Sequence, residues 1–357
     1  MKERSKNRSA QPTRRRLLGS LATAGALALT SLIGTTGQQA AADVRAAAAY
    51  PSPGYVTGDI GVHDPSFVKR PDGSYLVAHT GDDIMLKTST DRTTFRNAEV
   101  AFPGGAPWTT TYTAGGRSLW APDLSYQNGH YYMYYSASTF GSNRSGIFLA
   151  TSTSGDSGTW TNHGLVIESR QSDNHNAIDP NLVVHDQGRW WLSFGSFWSG
   201  IKMIQIDPST GKRTGTTMHS IAGRGGGAIE APTIVKHGSY YYLYVSFDLC
   251  CRGAVSTYRV MAGRSTNVTG PYYDRNGIPM SSGGGTEVLA GQGSIHGPGH
   301  QDVFTDTDSD SDSDTDTDTD TDTDTDSLSY HYYSHNGTPL LDINWLAYDS
   351  AGWPYVH

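Results

Sequence analysis

One pattern recurs five times along this chain and limits its fold more than any other feature. An acid or histidine stands at or near a proline, followed by a short apolar strand, a polar turn and an aromatic strand. The first copy runs His63-Asp64-Pro65, FVKR, Pro71-Asp72-Gly73, SYLVAHT. The second is Ala121-Pro122-Asp123, LSY, Gln127-Asn128-Gly129, HYYMYYSAS. The third is Ile178-Asp179-Pro180, NLVVH, Asp186-Gln187-Gly188, RWWLSFGS. The fourth is Glu230-Ala231-Pro232, TIVK, His237-Gly238, SYYYLYVSF. Apolar runs flanking a short turn with glycine, which tolerates positive φ, predict a β-hairpin in each copy. The anchors at 64, 123, 179 and 230 lie fifty to sixty residues apart. That spacing holds one four-stranded sheet per repeat, the unit of a propeller blade.

The fifth copy begins at Gly297-Pro298-Gly299-His300 and QDVF, then meets residues 305–326, where every second residue is aspartate, and resumes with SLSYHYY. The tract stands where the other copies have a turn. Asp302-Val303-Phe304 and Leu328-Ser329-Tyr330 are therefore expected to pair as strands. The tract lacks the glycines and terminal glutamate of calcium-binding loops, and an alternating acidic run repels itself and stays solvated. The expected fold is all-β, a five-bladed β-propeller over residues 55–357 with a disordered acidic loop at 305–327.

The formal charge of −8 comes mainly from this tract, which carries eleven aspartates. Without it and residues 1–42, 19 basic residues face 22 acidic ones. A near-neutral body with 21 Tyr and 8 Trp argues against nucleic acid and for an uncharged ligand such as a sugar. Residues 1–42 hold consecutive arginines (Arg14, Arg15, Arg16), an apolar stretch over 17–34 and small residues at 40–42. This is the layout of an export signal resembling the twin-arginine type, with a short linker at 43–54. A secreted, extracellular monomer with no membrane contact in the mature form is expected. The two cysteines, Cys250 and Cys251, are adjacent; they exclude a disulfide framework and leave a vicinal disulfide or two packed thiols.

If each corner starts the strand nearest a propeller axis, Asp64, Asp123, Asp179, Glu230 and His300 converge. Proline suits a strand start because it donates no ladder hydrogen bond. Carboxyls gathered in one cleft raise at least one pKa. The result is a protonated acid beside an ionised base, the pair that glycoside hydrolysis uses. Aromatic faces stack on sugar rings; Trp120, Phe197 and Trp198 lie near the corners.

The segments VHDPS (62–66), SLWAPDLSY (118–126), NAIDPNLV (176–183), FGSFWSGI (194–201), AIEAPTIV (228–235) and GPGH (297–300) resemble those of glycoside hydrolase family 43, and within it the endo-α-1,5-L-arabinanases. FDLCCRG (247–253) resembles that group as well. The resemblance implies an inverting hydrolase of internal α-1,5 bonds in arabinan and arabino-oligosaccharides. Asp64 would be the general base, Glu230 the general acid, and Asp179 the residue that orients the acid and raises its pKa. His63 and Asn181 would join the aromatic residues in binding substrate. No organic cofactor is implied; a structural calcium ion is, near His300. For Asp123 a structural corner is expected. The rival readings are an exo-acting arabinofuranosidase or β-xylosidase on the same scaffold, and a sugar-binding propeller without activity.

Overall fold

The computed structural model describes residues 50–185, 187–306 and 325–357. The expected export signal, Asp186 in the third turn and the interior of the acidic tract lie outside the described residues. Five sheets follow one another along the described chain, antiparallel except where the short strand Thr57–Gly58 runs parallel to Thr94–Val100 in the first. The first strands of the blades are Ser66–Lys69, Ser118–Gln127, Asn181–Val184, Ile229–His237 and His296–Asp306. Each touches the first strand of the next blade, and the fifth touches the first. That closed circuit is a five-bladed β-propeller, as expected.

Side-chain alternation builds the packing between blades. Along Tyr240–Phe247, Tyr241, Leu243 and Val245 face blade three, whereas Tyr242 and Tyr244 face blade five, as period-two alternation requires. Each of the five blade interfaces holds one apolar cluster. Fully burying one Leu, Ile or Phe contributes about 1.5–3 kcal/mol. The YYMYY and SYYYLYV runs thus serve inter-blade packing, with Tyr134, Tyr135, Tyr242 and Tyr244 fully buried.

A ring of hydrogen bonds ties the first strands together near the axis. Leu124 N donates to Ser66 Oγ (2.9 Å), Leu182 N to Asp123 Oδ2 (2.8 Å) and Ile234 N to Asn181 Oδ1 (2.9 Å). Thr233 Oγ1 donates to the Gln301 carbonyl (2.7 Å), and Phe67 N to Asp302 Oδ2 (2.7 Å). Ser66, Asp123, Asn181, Thr233 and Asp302 are therefore equivalent positions. Asp123 is the structural corner expected of it. Asn181, expected at the substrate, belongs to this ring instead: its Nδ2 donates to Asp123 Oδ1 (3.0 Å) while its Oδ1 accepts from blade four. With both amide ends used and the side chain buried, it does not line the cleft.

Blade five closes as the sequence suggests. Asp302 pairs with Ser329, Val303 with Leu328 and Phe304 with Ser327. The ladder runs further into the acidic tract than expected, through Thr305–Asp326 to Asp306–Thr325. Residues 50–54 of the expected linker are packed as well: Tyr50 Oη donates to Glu287 (2.6 Å) and Gly54 N to the Ile343 carbonyl (2.8 Å).

Candidate active site

Each blade turns sharply two residues before its ring position. Asp64, Ala121, Asp179, Ala231 and His300 occupy this turn, all in the left-handed region with φ between 45° and 56°. Positive φ is uncommon for residues with a Cβ and marks a built corner. The turn ends regular pairing and aims side chains into a cleft of about 820 Å³ at one end of the axis. Asp64, Asp179 and His300 project from the turn itself. Glu230 and Trp120 stand one residue before it. His63, Phe197 and Trp198 also line the cleft, as expected, and Phe140, not singled out in the sequence, stands 85% exposed at its rim.

Asp64 is surrounded by donors. Thr80 Oγ1 donates to its Oδ2 (2.6 Å), His300 Nδ1 lies 3.0 Å from Oδ1, and His63 Nδ1 lies 2.9 Å from Oδ2. Its backbone N–H donates to His331 Nδ1 (3.1 Å). Burial alone would raise the Asp64 carboxyl, but His300 and His63 outweigh it and hold the group well below the usual carboxylate range. Reciprocally, burial lowers His300 while Asp64 pushes it up, to about 9.

The other two carboxyls behave oppositely. Burial, with the charges of Glu230 and Asp64 adding and that of His300 opposing, pushes Asp179 up to about 8. Its Oδ2 accepts only one backbone bond of note, from Ala231 N at 3.1 Å. Burial also raises Glu230, against the hydrogen bonds of Ser196 and Tyr258. Ser196 Oγ donates to Glu230 Oε2 (2.6 Å), and the Tyr258 hydroxyl donates to Oε1. The charge of Glu230 helps to raise Asp179, so the two buried carboxyls compete for a proton. One cleft thus holds an ionised carboxylate and a carboxyl pair inclined to keep a proton.

Thr80, Ser196, Tyr258, His331 and Tyr333 escaped the sequence reading. They sit at or beyond the ends of second strands, or before a third; His331 and Tyr333 fall in a run that reads as strand, and Ser196 within FGSFWSGI carries no role in the sequence reading. The register would reveal part of this set: the corners Trp120, Glu230 and Gly299 lie opposite Ser136, Ser246 and His331. Ser136 and Ser246 accept the turn N–H of the following blade, at Asp179 (3.0 Å) and His300 (2.8 Å). His331 does the same for Asp64.

Cys250 and Cys251 form a vicinal disulfide on the cleft wall. Among the described residues, the groups of three potential metal ligands are His63–Cys250–Cys251 and His63–Asp64–His331. Neither contains His300 nor offers the six to eight oxygens that calcium takes. His300 gives a cation one imidazole, whose Nδ1 lies against Asp64.

The sequence matches the model of glycosyl hydrolases family 43 over residues 57–313. It is 42% identical over 303 residues to the extracellular endo-α-(1→5)-L-arabinanase 1 of Bacillus subtilis, covering 82% of this chain and 87% of that protein. It is 38% identical over 264 residues to the extracellular exo-α-(1→5)-L-arabinofuranosidase of Cellvibrio japonicus, covering 69% and 76%. The fold superimposes on a family 43 endo-arabinanase from Bacillus licheniformis with a TM-score of 0.76 and 44% identity, covering 84% of this chain and 99% of that one.

Proposed function

The chain belongs to glycosyl hydrolases family 43, and on that premise we propose that it is an exported endo-arabinanase. It cleaves internal α-1,5-L-arabinofuranosidic bonds of arabinan in a single inverting displacement. The observation that carries this reading is the convergence of three carboxyls on one cleft, with Asp64 against two imidazoles and Thr80 and Glu230 against Ser196 and Tyr258.

Asp64, kept ionised by its histidines, accepts a proton from water as the water attacks the anomeric carbon. Glu230 delivers a proton to the departing glycosidic oxygen. Asp179 orients the acid, and as it ionises its charge beside Glu230 favours the protonated form of Glu230 before the bond breaks. Inversion needs base and acid roughly 6.5–9.5 Å apart to admit the water. Trp120, Phe197 and Trp198 offer ring faces to arabinose units. Export, with residues 1–42 removed, agrees with relatives named extracellular, and N-terminal sequencing of protein from the culture medium checks it. Calcium beside His300 belongs to the same proposal; the imidazole and water would have to hold it, since the groups of potential ligands among the described residues do not include His300. No step of the hydrolysis passes through it, and calorimetric titration of chelator-treated protein tests it.

Asp64→Asn and Glu230→Ala should each lower kcat on linear arabinan by about 10²-fold or more, the usual share of general acid–base catalysis, with the fold retained. Near-normal turnover in either variant overturns the assignment. The second reading, exo action on the same scaffold, is favoured by the Cellvibrio relative. Product analysis decides: a ladder of oligosaccharides at early times supports internal cleavage, and arabinose alone refutes it.

A further inference from the structure

We propose that Tyr333 is a positioning residue for Asp64: its hydroxyl, held by the backbone of the disulfide-bonded Cys251, fixes His63 as the tautomer that presents an N–H to the Asp64 carboxylate. The functional consequence rests on the reading of Asp64 as the base; the tautomer does not.

The chain of contacts starts at a group whose proton cannot move. Cys251 N–H donates to Tyr333 Oη at 2.9 Å. That bond takes one lone pair of the phenol oxygen and leaves its own proton to be donated elsewhere. His63 Nε2 lies 2.8 Å from the same oxygen, within reach of the phenol proton, with Cys251 Sγ a further 3.7 Å contact; the nitrogen accepts there when the Asp64 charge draws the ring proton to Nδ1. The phenol gives no rival base, since burial pushes Tyr333 up to about 12. With Nε2 accepting, the proton of a neutral imidazole resides on Nδ1, which lies 2.9 Å from Asp64 Oδ2 but off the line of a hydrogen bond, so the N–H meets the carboxylate as a dipole meeting a charge. The opposite tautomer would set a bare nitrogen lone pair against a carboxylate oxygen.

Packing holds the ring in this plane. His63 stacks on His331 with centroids 4.0 Å apart, and His331 is wholly buried. His331 Nδ1 accepts the Asp64 backbone N–H, so its own proton is on Nε2 and does not compete for the carboxylate. Cys251, at φ +63°, is locked to Cys250 by the disulfide, which fixes where its N–H points. The order is thus disulfide turn, Tyr333, His63, Asp64: four residues from two blades and the turn before the first strand of blade one.

The test reads the tautomer directly, by two-bond ¹H–¹⁵N spectra of histidine-labelled enzyme without substrate, beside steady-state kinetics on linear arabinan. Wild type should give His63 with Nδ1 protonated and Nε2 bare. Tyr333→Phe should mix the tautomers and lower kcat about tenfold, the worth of one such bond, with KM within about twofold. His63→Asn, which keeps an N–H donor where Nδ1 stood, should retain more kcat than His63→Ala, and adding Tyr333→Phe to it should change nothing. A bare Nδ1 in wild type, an unchanged tautomer or unchanged kcat in Tyr333→Phe, or additive losses in the double variant overturns the proposal. If Tyr333→Phe does not fold, the wild-type spectrum and the two His63 variants still decide. Turnover surviving in Asp64→Asn would overturn the base assignment separately, because the tautomer is read without catalysis.

Discussion

Tyr258→Phe should carry hydrolysis to higher pH. The Tyr258 hydroxyl donates to Glu230 Oε1, and Ser196 to Oε2. Both bonds favour the ionised form of a carboxyl that must be protonated to act as the acid. Activity therefore falls as pH rises through the pKa of the Glu230–Asp179 pair, and removing a donor raises that pKa. A hydrogen bond to a charged acceptor is worth about 1.5–3 kcal/mol, and one pKa unit corresponds to about 1.4 kcal/mol. The full effect would be roughly one to two units. Ser196 stays in place and the proton is shared with Asp179, which dilutes the change toward about one unit. The assay is the pH dependence of kcat/KM on linear arabinan for wild type and variant. The alkaline limb should move up while the acid limb, set by Asp64, stays. Ionisation of Tyr258 cannot mimic the limb, since burial and the nearby carboxylates hold the phenol well above its ordinary pKa. An alkaline limb that stays or moves down refutes the reasoning.

Asp302→Ala removes the acceptor for Phe67 N–H and Ser66 Oγ at the junction of the last blade with the first. Two buried donors left unpaired cost about 1–3 kcal/mol each, so urea unfolding should register a loss of about 2–6 kcal/mol; a loss below about 1 kcal/mol would mean the ring does not hold the blades. Asp179→Asn should abolish most activity yet flatten the pH dependence of stability. A carboxyl raised from 3.8 to about 8 on folding contributes stability present in full below about 4 and lost as pH rises toward 8. Wild type should therefore weaken between pH 5 and 8 more than the variant, and parallel slopes in chemical denaturation would contradict this.

The five corners were legible because proline beside an acid or histidine punctuates apolar runs, and this held even where the tract separates the two strands of blade five. What the pattern could not resolve was an offset of one or two residues. Asp64 and Asp179 occupy the turn, Glu230 precedes it, and Asp123 follows it by two, yet all four stand within two residues of a proline. In one dimension they look alike; in the fold three face the cleft and one joins the ring. Asn181 was misplaced for the same reason, as it follows Asp179-Pro180 and sits at the Asp123 position. His331 and Tyr333 were invisible for another: each reaches the Asp64 side only through contacts across blades, and within their own strand they read as filling; Tyr258, just before the third strand of blade four, meets Glu230 through that blade's own register. The cysteine pair fixed proximity but not oxidation, which follows from the turn that brings both sulfurs together.

The hairpin of blade five enters the acidic tract at Asp306 and leaves it at Thr325, paired directly across the ladder. That end of the strands is the one away from the cleft, about 20 Å from His300 at the usual rise per residue. Two chain ends held about 5 Å apart by an intact ladder form a grafting point. A passenger domain whose own termini lie close together, as is common, can be spliced between them without loosening the ring or the corners. It would hang behind the catalyst and leave a polysaccharide's approach to the cleft clear. What reads along the chain as an interruption thus serves, for an engineer, as a handle.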